Sequence, residues 1–136
     1  MKAIIAIVLL AVLCLTVSAS RGTLSATMRI TDVEIENGTG VIYAVVENTG
    51  GTKLESGYDA WNLEVRNGDT WELATEKKDQ LRRPANIMFT IGGSFEDHYS
   101  LCMKYDALPA GIYRLVRRLH SGDEYIDVYD EFTVTD

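Results

Sequence analysis

Cysteine, proline and histidine are scarce in this chain, with two of each among 136 residues. Cys14 lies in an N-terminal apolar run, so Cys102 is the only cysteine in the rest of the chain. Once that run is removed, an intramolecular disulfide is excluded and the domain must depend on its apolar core. We expect Cys102 to be a buried small hydrophobe, while a reactive or intermolecularly paired thiol remains an alternative.

Catalytic motifs are equally sparse. No Gly-x-Ser-x-Gly pattern occurs, so the common serine nucleophile arrangement has no anchor. His98 precedes Cys102 by four residues on one predicted strand, a separation of about 13 Å that keeps the two side chains apart. The histidines and cysteines do not have zinc-site spacing. We therefore expect no enzyme, no cofactor and no metal.

Positive charge is in deficit, with 13 Lys and Arg against 20 Asp and Glu, for a net charge of −7. An acidic chain is repelled by nucleic acid and by anionic membrane surfaces. We therefore expect neither nucleic acid nor membrane among its partners, apart from the N-terminal run considered next.

The first 19 residues resemble a secretory signal peptide. Lys2 supplies the cationic start, residues 3–15 are apolar, and Val17-Ser18-Ala19 predicts cleavage before Ser20. The apolar run is short for a spanning helix, which needs about 20 residues. An uncleaved anchor and a lipoprotein acylated at Cys14 are the alternatives. We expect residues 20–136 to form one domain, secreted or associated with the cell surface and not inserted in a membrane after cleavage.

Strand periodicity dominates the rest of the chain. Short β-branched and aromatic runs alternate with Gly, Asn and Asp, a pattern typical of all-β sandwiches. A bulge is expected near Thr31-Asp32, where the alternation changes parity. Asn37-Gly38 and Asn67-Gly68 predict tight turns, the second with both central residues at positive φ, and Ser121-Gly122-Asp123 predicts a further hairpin. Strands are predicted at 26–36, 41–47, 58–66, 70–73, 87–91, 95–105, 112–120 and 124–134.

One segment is diagnostic of architecture. In 108–114, Pro109 fixes φ, Gly111 permits a sharp reversal, and Tyr113 opens an apolar strand. A tyrosine placed there bonds back to upstream backbone and forms a tyrosine corner, the device of immunoglobulin-like sandwiches. With seven to nine antiparallel strands, the sequence predicts an immunoglobulin-like β-sandwich.

Several segments resemble a family of exported bacterial immunoglobulin-like domains over residues 40–134. The resemblance rests on five short segments, one of which has Gly92 where the family pattern has proline: Val45-Val46-Glu47-Asn48, Leu63-Glu64-Val65 followed by Trp71, Ile91-Gly92-Gly93-Ser94, Leu108-Pro109-Ala110-Gly111-Ile112-Tyr113-Arg114 and Glu131-Phe132-Thr133-Val134. The resemblance implies the sandwich fold and a bacterial source. It implies no shared activity and carries over no functional residue.

Function is expected to lie in binding. We expect a secreted, non-catalytic module that binds an extracellular protein or a cell-surface glycan, of unspecified oligomeric state. The alternative is an inhibitor that inserts loops 76–86 and 48–58 into the cleft of an extracellular hydrolase. Recognition on sandwiches is often carried by loops, so the basic residues of the longest polar segment form the candidate partner site: Lys77, Lys78, Arg82 and Arg83.

Aromatic side chains are the other candidates. Trp61 is expected in the core, as for a third-strand Trp of such sandwiches. Tyr125 and Tyr129 flank Asp127 at alternate positions of the last strand, and we expect a half-buried strand face in preference to an exposed aromatic-acidic strip. An exposed aromatic platform would favour a glycan ligand.

Three arginines precede that last strand in the sequence. Arg114, Arg117 and Arg118 are expected to form cross-strand ion pairs with its acidic residues.

Overall fold

The computed structural model describes residues 23–80, 85–90 and 92–136. The predicted signal peptide and its cleavage site lie outside these ranges, as do Arg82 and Arg83. Within them the chain forms nine strands and one 3-10 turn: β1 Ala26–Glu36, β2 Thr39–Asn48, β3 Leu54–Gly57, β4 Trp61–Asn67, β5 Thr70–Leu73, β6 Asn86–Phe89, β7 Ser94–Ser100, the turn Leu101–Met103, β8 Gly111–Ser121 and β9 Glu124–Val134. No helix in the described part has the length and apolar character needed to span a membrane.

The described strands pair antiparallel in two sheets. One has the order β1-β2-β7 and the other the order β5-β4-β8-β3-β6. In the second sheet β8 also pairs with β9 along its whole length. β2 is central, as its apolar character on both faces predicted. Between the two sheets, β1 lies beside β9, and Ile30 N–H donates to Asp130 Oδ2 at 2.8 Å. The predicted all-β immunoglobulin-like sandwich is confirmed.

Tight turns set the register of the β1–β2 and β4–β5 hairpins. Asn37 and Gly38 have φ of 54° and 77° and form a two-residue loop, the type I′ pattern. In the second hairpin Asn67 pairs with Thr70, so Gly68-Asp69 is the loop instead of Asn67-Gly68. Gly68 has φ 62° and Asp69 is not among the positive-φ residues, so the prediction of two positive-φ residues is wrong there. Glycine in the first loop position is the type II′ pattern.

Side chains at alternate strand positions of the two sheets form the core. Leu63, Leu115 and Leu119 are fully buried on one side and Ile42 and Val46 on the other. Trp61, only 6% exposed, meets the Tyr99 ring edge-on at 5.2 Å between centroids. The predicted core position of Trp61 is confirmed. The predicted bulge is also confirmed, because the β1–β2 register shifts between Ile30 and Asp32.

The tyrosine corner forms as predicted. Tyr113 is 1% exposed, and its Oη donates to the Pro109 carbonyl oxygen at 2.7 Å. The segment that it closes carries the chain from β7 in one sheet to β8 in the other. The bond therefore fixes where β8 begins.

A charged side chain crosses the core. Arg117 is fully buried on β8, where its Nη2 donates to Asp97 Oδ2 of the opposite sheet at 2.9 Å. Its Nη1 donates to Ser56 Oγ at 3.2 Å and to the Gly57 carbonyl at 2.8 Å. Arg117 thus joins β3, β8 and β7. The prediction that Arg117 pairs with the last strand is wrong, because the strand alternation turns it inward.

Two further predictions of strand limits are wrong. The strand predicted from 58 begins at Trp61, and the unpredicted β3 occupies part of the segment expected to be a loop at 48–58. The strand predicted over 95–105 ends at Ser100, because Lys104 N–H and Tyr105 N–H both donate to the Leu101 carbonyl and form a turn. The sequence of this turn alternates like a strand, so periodicity alone does not detect it.

Cys102 is exposed on that turn. The turn directs Leu101 into the core, where it is 1% exposed, and leaves its neighbour facing solvent. The expectation of a buried cysteine is therefore wrong.

Replacing Tyr113 with Phe tests the corner. Because the Pro109 carbonyl lies at an exposed residue and regains water in part, we expect the free energy of unfolding to fall by about 1 kcal/mol, the lower end for a lost buried partner. Urea denaturation measures it. Tyr129→Phe, which removes an exposed hydroxyl, is the control and should leave the midpoint unchanged; equal midpoints for both variants would contradict the corner.

Asp97→Asn tests the ion pair that crosses the core. Removing one partner of a buried pair costs about 3–5 kcal/mol. Because asparagine keeps an acceptor and Asp97 is 15% exposed, we expect a loss near 3 kcal/mol in denaturant unfolding. Asp127→Asn breaks an exposed arginine pair and should cost less than about 1 kcal/mol; a similar loss in both variants would show that Arg117 does not depend on Asp97.

Alkaline pH should weaken the fold through buried tyrosine. Burial, with a smaller contribution from Glu76, raises the pKa of Tyr105 from 10.0 to about 12. The unfolded chain then loses this proton first, so the stability is complete below pH 10 and is lost as the pH rises towards 12. We expect the urea midpoint to fall over that interval, and to fall less steeply in Tyr105→Phe. Parallel pH profiles for the two proteins would refute this role.

Candidate functional site

The outer face of the β5-β4-β8-β9 region carries an exposed aromatic strip. Tyr125 and Tyr129 on β9 are 57% and 54% exposed. They alternate with Asp127. On β8, Asp127 is paired with Arg118 and Tyr129 with Val116. The expectation of a half-buried face here is wrong, and the aromatic-acidic strip is present.

Guanidinium groups hold the rings of this strip in place. Arg114 lies between two rings, 4.6 Å from the centroid of Trp71 and 4.6 Å from that of Tyr129. Glu64 Oε1 on β4 accepts hydrogen bonds from Arg114 Nε at 3.0 Å and from Arg114 Nη2 at 2.7 Å. The predicted pairing of Arg114 with the last strand is therefore wrong. We call Trp71, Arg114, Tyr129, Arg118 and Tyr125 together the aromatic face.

Arg118 repeats this arrangement one step along the sheet. Its guanidinium lies 3.9 Å from the Tyr125 ring centroid. Its Nε and Nη2 donate to the two carboxylate oxygens of Asp127 at 2.9 and 3.0 Å, which confirms this cross-strand ion pair. The hydrogen bonds that Arg118 donates to Asp127 raise the pKa of the Arg118 guanidinium above its usual range, so the guanidinium is charged throughout the physiological range.

A pocket of about 360 Å³ opens at the side of the aromatic face. Its lining comes from the start of β4, the outer positions of β8 and β9, and the loop segments before β4, after β5 and after β7: Asp59, Ala60, Trp61, Asn62, Glu76, Lys104, Val116, Arg118 and Asp127. Such a volume lies within the range of small-molecule sites.

Lys104 holds backbone carbonyl groups of the pocket lining in place. Lys104 is 7% exposed, and its ammonium group lies 4.7 Å from the Trp61 ring centroid and donates to the carbonyls of Asp59 and Trp61. Beneath it, Tyr105 Oη accepts from Leu63 N–H at 2.8 Å. These contacts hold the start of β4 against the turn after β7, so the pocket wall is preformed.

The basic site predicted in the 76–86 segment is only partly described. Lys77 is half-buried, and its N–H donates to the Lys104 carbonyl at 2.8 Å. Lys78 is exposed. Arg82 and Arg83 lie outside the described residues, so the predicted four-residue site stays a prediction.

Sequence reasoning named the two exposed tyrosines and missed the residues that complete the site. No sequence signal marked Asn62 or Val116 as pocket residues, because a strand that lines a pocket has the same alternating pattern as an ordinary strand. Glu76 was assigned only to a solvated loop. In the described ranges, His, Cys, Asp and Glu do not gather in threes or more as a metal site would require.

Among curated proteins, none matches this chain. Two crystal structures of a β-glucosidase from Kluyveromyces marxianus, one of them in complex with glucose, are similar to it in structure at 15% sequence identity and a TM-score of 0.39. Each match covers 83% of this chain but only 14% of the β-glucosidase. At this TM-score the likeness carries no argument.

The family comparison is decisive. A family model described as a bacterial Ig-like domain matches residues 22–133. This range includes all the described strands except Val134, the last residue of β9. The paired sheets and the tyrosine corner agree with that match. The chain belongs to the bacterial Ig-like domain family.

Proposed function

We propose that this domain is a non-catalytic module that binds a glycan at the cell exterior through the aromatic face. The observation that carries the proposal is the pair of tyrosines, each more than half exposed, at alternate outer positions of one rigid strand. Large aromatic side chains left in contact with water mark interaction surfaces. Export of the chain rests on the signal-like sequence of residues 1–19.

Ring stacking supports a carbohydrate ligand. A tyrosine ring offers an apolar face to the C–H surface of a sugar and a hydroxyl to the sugar's own hydroxyl groups. Tyr125 and Tyr129 are four residues apart on β9, so they are separated by about 13 Å along the strand. An extended oligosaccharide lying along β9 would reach both rings.

Preorganisation supports the same proposal. Arg114 is stacked between Trp71 and Tyr129 and bound to Glu64, and Arg118 is stacked on Tyr125 and bound to Asp127. Side chains held in one conformation before binding lose less entropy when a ligand arrives. The face is therefore built to keep its rings in position.

Protein interfaces also favour Tyr, Trp and Arg, but the ion pairs of this face argue for a glycan. A dry protein interface would remove water from the Arg114–Glu64 and Arg118–Asp127 pairs, and such desolvation often outweighs the attraction between the charges. Sugar hydroxyls can donate to the carboxylates and accept from the guanidinium groups in place of that water.

Neither the inhibitor alternative nor an enzyme receives such support. The segment around 49–53 is tied down by Asn48, whose Nδ2 donates to the Thr52 carbonyl and whose Oδ1 accepts from Gly50 N–H, and its exposed side chains are polar. Asp127 has both carboxylate oxygens engaged by Arg118, which is no arrangement for a general acid. Membership of the Ig-like family agrees with a non-catalytic role.

Affinity electrophoresis tests the proposal. The protein is run in gels containing laminarin, yeast mannan or soluble hydroxyethyl cellulose, and in gels containing polygalacturonate. We expect retardation by at least one neutral polysaccharide, without release of reducing sugar. Tyr125→Ala and Tyr129→Ala should each weaken it about tenfold, equivalent to about 1.4 kcal/mol of binding free energy.

Tyr58→Ala is the matched control, because Tyr58 is 38% exposed and lies off the aromatic face. It should leave the retardation unchanged. Unretarded migration in every gel, or equal losses for all three tyrosine variants, would overturn the proposal.

A further inference from the structure

We propose that the pocket beside the aromatic face is a subsite for one sugar residue of the glycan that carries no negative charge. This inference rests on the proposed function and names the part of the ligand that the module selects. Its lining includes Val116 on β8, which we call the floor, and Asp59 and Glu76 in the segments before β4 and after β5, which we call the walls.

The pocket and the tyrosines form one continuous surface. Val116 is paired with Asn62 on one side and with Tyr129 on the other, so the pocket floor lies in the same row as an exposed ring. Asp127 lies between Tyr125 and Tyr129 on β9. A glycan stacked on Tyr129 therefore has its neighbouring substituents directed at the pocket.

An unpaired oxygen marks the pocket as a hydrogen-bonding site. Asn62 Oδ1 is buried and accepts no hydrogen bond within the described part of the chain. Buried polar atoms almost always have a partner, so an acceptor left without one in a pocket lining calls for a donor. A sugar hydroxyl in the pocket would supply that donor once the Asn62 amide turns about its last torsion and presents the oxygen to the pocket.

Charge determines which sugar the pocket accepts. Asp59, Glu76 and Asp127 bring three carboxylates to the lining. The lining also carries two cations, Lys104 and Arg118, the second of which is bound to Asp127, so three carboxylates and two cations leave it with a formal charge of −1. With a net charge of −7 on the chain, a uronic acid or a sulfated sugar meets repulsion in the pocket, whereas neutral hydroxyls meet acceptors.

Glu76 is the wall residue best suited to test this preference. Its Oε2 accepts from Gln80 Nε2 at 2.8 Å, and the residue is exposed. Reversing its charge changes the field in the pocket without touching the core or the aromatic face.

The experiment is isothermal titration calorimetry of the whole protein with oligosaccharides from the neutral polysaccharide that retards it and with oligogalacturonate. Asn62→Ala and Val116→Phe, the second of which fills the floor, should each weaken neutral binding about tenfold. Glu76→Lys should raise oligogalacturonate binding, whereas Glu47→Lys, at an exposed β2 position of the other sheet, should not. Thermal melts verify that each variant is folded.

The outcomes separate this inference from the proposed function. If Tyr129→Ala abolishes neutral binding while Asn62→Ala, Val116→Phe and Glu76→Lys change neither affinity nor selectivity, the aromatic face binds glycan and the subsite is refuted. If oligogalacturonate binds the parent protein more tightly than the neutral oligosaccharide, the exclusion of anionic sugars is refuted. If none of the tyrosine variants matters, both proposals fail together.

Discussion

A buried arginine holds the two sheets of this domain in register. Arg117 is on the inner face of β8, and its charge is balanced by Asp97 on the opposite sheet at 2.9 Å. The guanidinium also lies 5.6 Å from the ring centroid of Phe95 and 5.5 Å from that of Tyr99. A cation without water has a low energy only where its partners are fixed. The pair therefore penalises any other alignment of β7 and β8.

The aromatic face follows from this alignment. Because side chains alternate along a strand, a slip of one residue would exchange the inner and outer faces of β8. With Arg117 inside, Arg118 and Val116 must face outward, where β9 opposes them with Asp127 and Tyr129. The core ion pair and the aromatic face are thus two consequences of one register, and the subsite depends on both.

Much of the fold was predictable, because its signals are local. β1 and β9 have the predicted limits, and the corner at Tyr113 forms where Pro109 and Gly111 placed it. The failures have non-local causes. β3 has only four residues, and its pairing with β6 and β8 defines it, which no short stretch of sequence reveals. The loop of the second hairpin moved by one residue because strand register, and not the Asn-Gly dipeptide, selected the turn.

The site was less predictable than the fold. Parity correctly grouped Tyr125, Asp127 and Tyr129 on one face but did not tell whether that face was covered. Parity also groups Arg117 with Leu115 and Leu119, a signal that would have placed this arginine inside. The pocket depends on the 76–80 segment reaching Lys104 through a backbone hydrogen bond of 2.8 Å, a contact between distant parts of the chain.

Nuclear magnetic resonance tests the central claim, that the register locked by Arg117 presents a glycan-binding face on one sheet. Backbone amide shifts would be followed while the protein is titrated with an oligosaccharide from the neutral polysaccharide that it binds. The account predicts perturbations at Asn62, Val116, Tyr125 and Tyr129, with the outer face of β1-β2-β7 unchanged. Perturbations centred on Tyr43 and His98 of that other sheet, or confined to loops, would contradict it.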